Sequence, residues 1–229
     1  MAEYFKRTEK KYIIPPDKYP ALLSALKEHM HEDSYGLQPI YNIYFDDTGD
    51  RFIRLSMQSP VFKEKMRLRS YGPARKGGYI YAELKKKYKG VVYKRRIKLD
   101  AGAAAMLLAG ATVQDCAPNG QAAQELDHFI TNYKVGPKIF IAYDRLALHC
   151  PADRYLRVTF DSNIAYRQSG LELSMEHPVK IYDDSLIIME IKTPLAMPLW
   201  LTRLLSDMDI RPRPFSKYGR IFTQISQGV

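Results

Sequence analysis

Residues 65–69 read Lys65-Met66-Arg67-Leu68-Arg69. In an extended chain successive side chains point to opposite faces, so the three basic residues share one face and Met66 and Leu68 the other. The spacing returns in Glu83-Leu84-Lys85-Lys86-Lys87, which puts Glu83, Lys85 and Lys87 on one face, and in Lys94-Arg95-Arg96-Ile97-Lys98, which does so for Lys94, Arg96 and Lys98. Glu190-Ile191-Lys192 repeats it inside an otherwise apolar run, and Glu9 and Lys11 stand two apart near the start of the chain. Tyr143 pairs with Arg145 in the same way, and Arg157 with Thr159 and Asp161.

Working outward, period two and β-branched or aromatic content predict strands over about 5–14, 39–45, 61–71, 78–88, 91–99, 138–149, 154–162 and 185–192. Gly77-Gly78 and Lys89-Gly90 are expected hairpin turns, and Asp46-Asp47-Thr48-Gly49-Asp50 carries turn chemistry. Pro15 and Pro16 open an expected helix that buries Leu22, Leu23 and Leu26. Further helices are expected at about 51–57, 101–109, 120–133, 199–208 and 215–226, and 163–185 reads as loop. Roughly eight mostly antiparallel strands with helices outside give an α+β class. Closing them into a barrel would remove the sheet edges. The expected organisation is a single domain over 1–229.

The chain of 229 residues is 46% hydrophobic and 26% charged, which suits a folded domain and excludes a disordered one. A net charge of +10 points to an anionic partner. The two cysteines, Cys116 and Cys150, lie far apart and outside any metal-ligand spacing. The start of the chain carries no secretory h-region, and no apolar run is long enough to span a bilayer. The expectation is a soluble, cytoplasmic protein in a reducing compartment. There is no P-loop, no GxGxxG and no HExxH pattern among the five histidines.

Polar-out alternation is what a solvated antiparallel face normally shows. Three features favour a different reading. The pattern recurs in most expected strands, its charge is one-sided where solvated faces mix signs, and Glu190 and Lys192 interrupt a run that looks buried. If the charged faces line an interior, it holds about a dozen cations and about three glutamates, on the alternation rule. A polyphosphate would neutralise such a lining, and Arg offers a fork that matches phosphate oxygens. A glutamate among those cations stays ionised and can hold Mg²⁺ or Mn²⁺ through oxygen.

The motifs KMRLR (65–69), ELKKK (83–87), YDR (143–145), EIK (190–192) and FSKYGR (215–220) resemble the VTC domain, the catalytic domain of the vacuolar transporter chaperone polyphosphate polymerase. That family belongs to the triphosphate tunnel metalloenzymes, also called CYTH-like. The resemblance runs from FKRTEKKY to FSKYGR. It implies a closed eight-stranded antiparallel tunnel, ATP as phosphoryl donor and a polyphosphate chain growing inside. By motif, Lys11, Arg67, Arg69, Lys85, Arg145, Arg157, Lys192 and Lys217 would act on the phosphates. Lys65, Glu83, Lys87, Arg96, Lys98, Tyr143 and Ser216 would line the substrate. Glu190, with Glu9, would bind the Mn²⁺ or Mg²⁺.

One departure is informative. CYTH members open with E-x-E-x-K, whereas this chain has Arg7, Glu9 and Lys11 at those positions. That weakens a cyclase or thiamine-triphosphatase reading and favours the VTC branch. The SPX domain and membrane helices of the eukaryotic polymerase are not recognised, so a separate partner protein would carry any membrane coupling. Three other readings stay open: a hydrolase of tripolyphosphate or nucleoside triphosphates, a non-catalytic polyphosphate-binding module, and a nucleic-acid binder. The last expects basic and aromatic residues on an open face and oligonucleotide bound as well as short polyphosphate; the tunnel that the resemblance implies carries no nucleic-acid partner.

Overall fold

The computed structural model describes residues 8–74, 78–89, 91–116, 120–194 and 196–228. In chain order the elements are β1 (Thr8–Ile14), α1 (Tyr19–Lys27), β2 (His31–Glu32), β3 (Gln38–Asp46), α2 (Arg51–Met57), β4 (Phe62–Tyr71), β5 (Ile80–Tyr88) and β6 (Val91–Leu99). Then come α3 (Ala101–Leu108), α4 (Val113–Cys116), α5 (Gln121–Tyr133), β7 (Gly136–His149), β8 (Arg157–Arg167), β9 (Lys180–Asp183), β10 (Ile187–Thr193), α6 (Leu199–Asp207) and α7 (Lys217–Ser226). The class is α+β, and the pairs β1–β10, β10–β8, β2–β7, β3–β4, β4–β5 and β5–β6 are all antiparallel. Two compact units share the chain.

The first unit holds the described residues up to Pro39, with Tyr143–Ile164 and Ile181–Ser216. Its strand order is β1-β10-β8-β7. Tyr12, Ile14, Val158, Phe160, Met189 and Ile191 form one face and pack with Leu22 and Leu26 of α1 and Leu201 and Leu205 of α6. Each such apolar side chain contributes roughly 1.5–3 kcal/mol by leaving water. The alternate residues Glu9, Lys11, Arg157, Thr159, Glu190 and Lys192 are therefore fixed on the other face. The register sets Lys11 opposite Glu190 and Glu190 opposite Thr159.

The second unit holds Ile40–Ala142, Ala165–Lys180 and the described residues from Lys217 onward. Its order is β7-β3-β4-β5-β6. Ile43, Phe45, Met66, Leu68, Ala82 and Leu84 face a core with Phe52 of α2 and Leu126 and Phe129 of α5. Helix α2 begins after Asp50, which sits at φ +60 and makes no side-chain cap. The buried Asp46 supplies the cap from the end of β3, accepting the N–H groups of Asp47, Phe52 and Ile53 at 2.9 Å each. This ties the strand end to the helix start.

The structure differs from the sequence reading at several points. There are ten strands among the described residues, because β2 and β9 add short ladders to β7 and β8. The expected loop over 163–185 contains the end of β8 and all of β9. Asn163 lies inside β8 at φ +52. One left-handed residue shifts the facing of the later side chains in the strand, so the period-two signal breaks there although pairing continues. Pro15 and Pro16 make a turn, accepting at their carbonyls from Lys18 and Tyr19, and α1 starts at Tyr19 with Pro20 in its first turn. The region expected as two helices over 101–133 holds three, with the short α4 between the longer pair. The first residues of the expected 5–14 strand, with Arg7, and the turn residues Gly77 and Gly90 lie outside the described residues. Cys116 and Cys150 form no disulfide. No described helix is long and apolar enough to cross a membrane.

Candidate functional site

Two charge clusters stand on the polar faces of the strands, each within one unit. In the second unit the register aligns Arg67 of β4, Glu83 of β5 and Arg96 of β6 across three neighbouring strands. Glu83 is 2% exposed. Its Oε2 accepts from Arg67 Nε and Nη2 at 2.9 and 2.7 Å. Its Oε1 accepts from Arg96 Nε at 2.7 Å and lies 2.6 Å from Lys94 Nζ. Burial pushes the Glu83 carboxyl up, but Arg67, Arg69 and Lys94 outweigh it and hold the group well below the usual carboxylate range.

Tyr44 and Asn42 of β3 complete this face. Arg67 Nη1 donates to Tyr44 Oη at 3.1 Å. Arg69 Nε donates to Asn42 Oδ1 at 2.9 Å, and Asn42 donates to the Ile141 carbonyl at 3.0 Å. Arg96 stacks over Tyr81, 4.3 Å from its centroid. Cations held in this way are pre-aimed, so little side-chain entropy is lost when an anion arrives. Lys65 and Lys85 are register partners one pair further along the same face, with Lys94 beside them, and Lys63 and Lys87 come next. Lys85, Lys87 and Lys98 are exposed, and Lys98 lies over the Tyr79 ring.

The opposite face confirms the alternation. Lys86 pairs with Glu64 at 3.5 Å and with Glu125 of α5 at 3.7 Å, away from Glu83. We expect Arg67→Ala to weaken tripolyphosphate binding by roughly 10–100-fold, the scale of losing a charge-assisted hydrogen-bonded fork. Lys86→Ala should change it by less than about threefold, since Lys86 faces away from Glu83 and pairs with Glu64 and Glu125 instead. Titration calorimetry of both variants reads this directly, and equal effects would refute the facing.

In the first unit, Glu190 is mostly buried. Lys192 Nζ lies 2.6 Å from one of its oxygens and Lys11 Nζ 3.8 Å from the other. Lys11 also reaches Glu9 at 3.7 Å and donates to the Phe215 carbonyl at 3.1 Å. Burial raises the Glu190 carboxyl, yet Lys192, Lys11 and Arg145 bring it down to about 2. It is therefore ionised at any ordinary pH. Arg145 makes a two-pronged bond to the buried Asp161, at 2.6 and 2.7 Å, and lies 5.3 Å from the Tyr143 ring centroid. Thr159, paired with Glu190 across β8 and β10, has a buried hydroxyl with no hydrogen-bond partner among the described residues. Such a hydroxyl on a charged face can donate to a phosphate oxygen. Arg157 is more peripheral, 58% exposed and 3.6 Å from Asp33. Ser216 and Lys217 are half-buried at the start of α7.

Among the described residues no group of three or more His, Cys, Asp or Glu side chains is placed to hold a metal. The carboxylates of Glu190 and Glu9, both reached by Lys11, lie on the polar face of β10 and β1 in the first unit. Two carboxylates with phosphate oxygens and water complete a Mg²⁺- or Mn²⁺-type set, so the residues fit a metal that arrives with phosphate.

Asn42, Tyr44 and Tyr81 belong to these clusters, but sequence patterning does not single them out as site residues, and it marks Lys94 and Asp161 only by their facing. In β3 the signal is masked because Tyr41 faces the core while Tyr44 faces the cations, so tyrosines appear on both faces.

A VTC domain model matches residues 6–224 of the chain. No curated protein matches it in sequence. Among solved structures, the chain is similar to an adenylyl cyclase-type protein from Hippeastrum described as having a dominant triphosphatase activity. The identity is 15% and the TM-score 0.52, over 96% of this chain and 95% of that one. A proposed adenylate cyclase from Vibrio parahaemolyticus aligns at 12% identity and TM-score 0.49, covering 94% of this chain and 97% of that one. A protein from Pyrococcus horikoshii aligns at 11% identity and TM-score 0.49, covering 96% and 98%.

Proposed function

Because the chain belongs to the VTC domain family, we propose that it is a metal-dependent polyphosphate polymerase that uses ATP. The observation that carries the reading is the Glu83 cluster, in which one buried carboxylate holds Arg67, Lys94 and Arg96 on a single face. A solvated face has no need of so costly an arrangement. A row of phosphates does, because each cation so held can meet an anionic oxygen. The closed eight-stranded tunnel and the single 1–229 domain belong to the same proposal.

In the reaction, a terminal oxygen of the polyphosphate chain attacks the γ-phosphorus of ATP. The bond from that phosphorus to the β–γ bridging oxygen breaks, and ADP leaves. The attacking oxygen is already anionic, so no strong base is required, and the protein supplies positioning and charge. Arg67, Arg69, Lys85, Arg145, Lys192, Lys11 and Lys217 would hold phosphate oxygens, with Lys65, Lys87, Arg96, Lys98, Arg157, Tyr143 and Ser216 along the substrate. Glu83 would act by positioning two of those cations, Arg67 and Arg96, together with Lys94. Glu190 and Glu9 would hold Mn²⁺ or Mg²⁺, which would neutralise phosphate charge when bound.

The deciding experiment incubates the protein with ATP and Mn²⁺ and tracks ADP, free phosphate and long-chain polyphosphate together. ADP with polyphosphate and little free phosphate is the expected result. ADP with stoichiometric free phosphate would make it a hydrolase, a reading favoured by the fold shared with the Hippeastrum protein and its described triphosphatase activity. Tight polyphosphate binding without turnover would leave a binding module. In competition, short polyphosphate should displace oligonucleotide readily; equal binding would refute the polyphosphate reading.

Binding should also depend on pH, with the change centred where two groups of the Glu83 cluster titrate. Burial raises the Tyr44 hydroxyl, but Arg67, Arg69 and Lys65 bring it down to about 8. Burial lowers the Lys94 ammonium, and the opposing pull of Glu83 leaves it at about 8, with Arg67 and Arg96 adding to the fall. Above that pH Tyr44 gains a negative charge and Lys94 loses a positive one, and both changes oppose an anion. Tripolyphosphate affinity should fall by about tenfold or more per pH unit above about 8, with proton uptake on binding. Tyr44→Phe should remove about one proton of that slope. A slope unchanged in the variant would show that Tyr44 does not titrate there.

A further inference from the structure

We propose that the end of the β4–β5–β6 meander is a docking surface for an anionic phospholipid bilayer. The pairing register brings Phe62, Tyr88 and Val91 side by side across the three strands. Val61 joins them, its carbonyl accepting from the Lys89 N–H at 3.0 Å. The Phe62 and Tyr88 rings meet edge-on at 6.5 Å. All four side chains are at least 42% exposed, and the neighbouring Val92 and Tyr93 are exposed too. By parity Phe62, Tyr88 and Val91 share the face of Met66 and Leu84, yet those two are fully buried and these are not. Single exposed apolar residues are ordinary; a contiguous group at one end of a sheet marks an interaction surface.

The charge around that group says what it meets. Lys63 and Lys87, register partners one position back, border the group from the other face of the sheet. Lys89 lies 5.4 Å from the centroid of the Tyr88 ring. From Leu84 to Leu99 the chain carries eight lysines and arginines and no aspartate or glutamate. A second copy of the chain would bring these like charges together, which disfavours self-association. Nucleic acid would use flat rings for stacking, and Val61, Val91 and Val92 offer none. A bilayer with anionic headgroups uses both parts. The valines and rings enter the acyl boundary while lysine stems reach back to the phosphates, and two such weak signals together give stable attachment. The inference does not depend on polymerase activity: its apolar part, Phe62, Tyr88 and Val91, lies on the opposite face from Glu83, and Lys63 and Lys87 stand at the far end of the Glu83 face, two register pairs from Glu83.

The test is cosedimentation of the whole protein with phosphatidylcholine vesicles and with phosphatidylcholine–phosphatidylserine vesicles. Binding is expected only to the latter. It should weaken steeply with added salt, and Phe62→Ser with Tyr88→Ser should weaken it by about tenfold or more. That double variant should keep its melting temperature and its affinity for tripolyphosphate. Val61→Ser with Val91→Ser is an independent second variant for the same readout. No binding to phosphatidylserine vesicles would overturn the proposal. So would binding that both double variants retain, or that tripolyphosphate displaces fully, because the headgroups would then sit among the site lysines. A concentration-dependent dimer lost in the same variants would overturn it too, assigning the surface to a second copy instead.

Discussion

Replacing Glu190 by alanine should abolish turnover while leaving most of the polyanion affinity in place. Its carboxylate is the negative partner of Lys192 and Lys11 and stays ionised because those cations and Arg145 outweigh its burial. Removing it leaves the local cation count unchanged, so an anion still binds. The variant loses the oxygen donor able to hold a divalent ion and the partner that fixes two lysines, and removal of one aimed electrostatic group commonly costs on the order of 10²–10³ in rate. Turnover of ATP, measured beside tripolyphosphate affinity in the same preparation, separates the two effects. Unchanged turnover would take Glu190 out of the site, and parallel loss of both would make its part structural.

The second large effect is on stability. Glu83→Leu should destabilise the fold by roughly 3 kcal/mol, near the lower end for breaking a buried ion pair, because Arg67, Lys94 and Arg96 keep some access to water. The loss should be smaller with tripolyphosphate present, since a bound polyanion replaces the missing negative charge. We therefore expect a larger ligand-induced rise in melting temperature for the variant than for the parent. A parent and variant that respond equally would separate Glu83 from the anion site. Acid should act in the same direction as the mutation. A carboxyl held below its unfolded value contributes stability above about pH 4.5 that is lost as the pH falls toward the folded value.

Much of this arrangement is legible in the sequence where two conditions hold together. In β4 the apolar Met66 and Leu68 alternate with Lys65, Arg67 and Arg69, so a single register satisfies both core and charge. The same logic places Lys11, Glu190 and Lys192 together. It fails where a face is chemically mixed. Tyr41 and Tyr44 are the same residue type on opposite faces, and Asn42, placed inside the expected strand, gives no sign in sequence of its bonds to Arg69 and Ile141. It fails again beyond Asn163, whose left-handed backbone breaks the count within β8. Glu83 reads in sequence as one of a row of substrate contacts. Only the register, which sets it between Arg67 and Arg96, reveals that its partners are cations.

The chain connectivity of the two clusters also bears on the order in which they form. Arg67, Glu83 and Arg96 come from three consecutive strands joined by short connections, so their meander closes small loops and can assemble early. Lys11 and Glu190 come from strands far apart in sequence, and β1 cannot meet β10 until Thr193 has been made. During synthesis the Glu83 cluster can thus gather its cations while the Glu190 cluster does not yet exist. A chain cut short before β10 would carry every strand of the first cluster and none of the second's Glu190 and Lys192, so an unfinished protein has the cations proposed to hold an anion but lacks the carboxylate proposed to act on it.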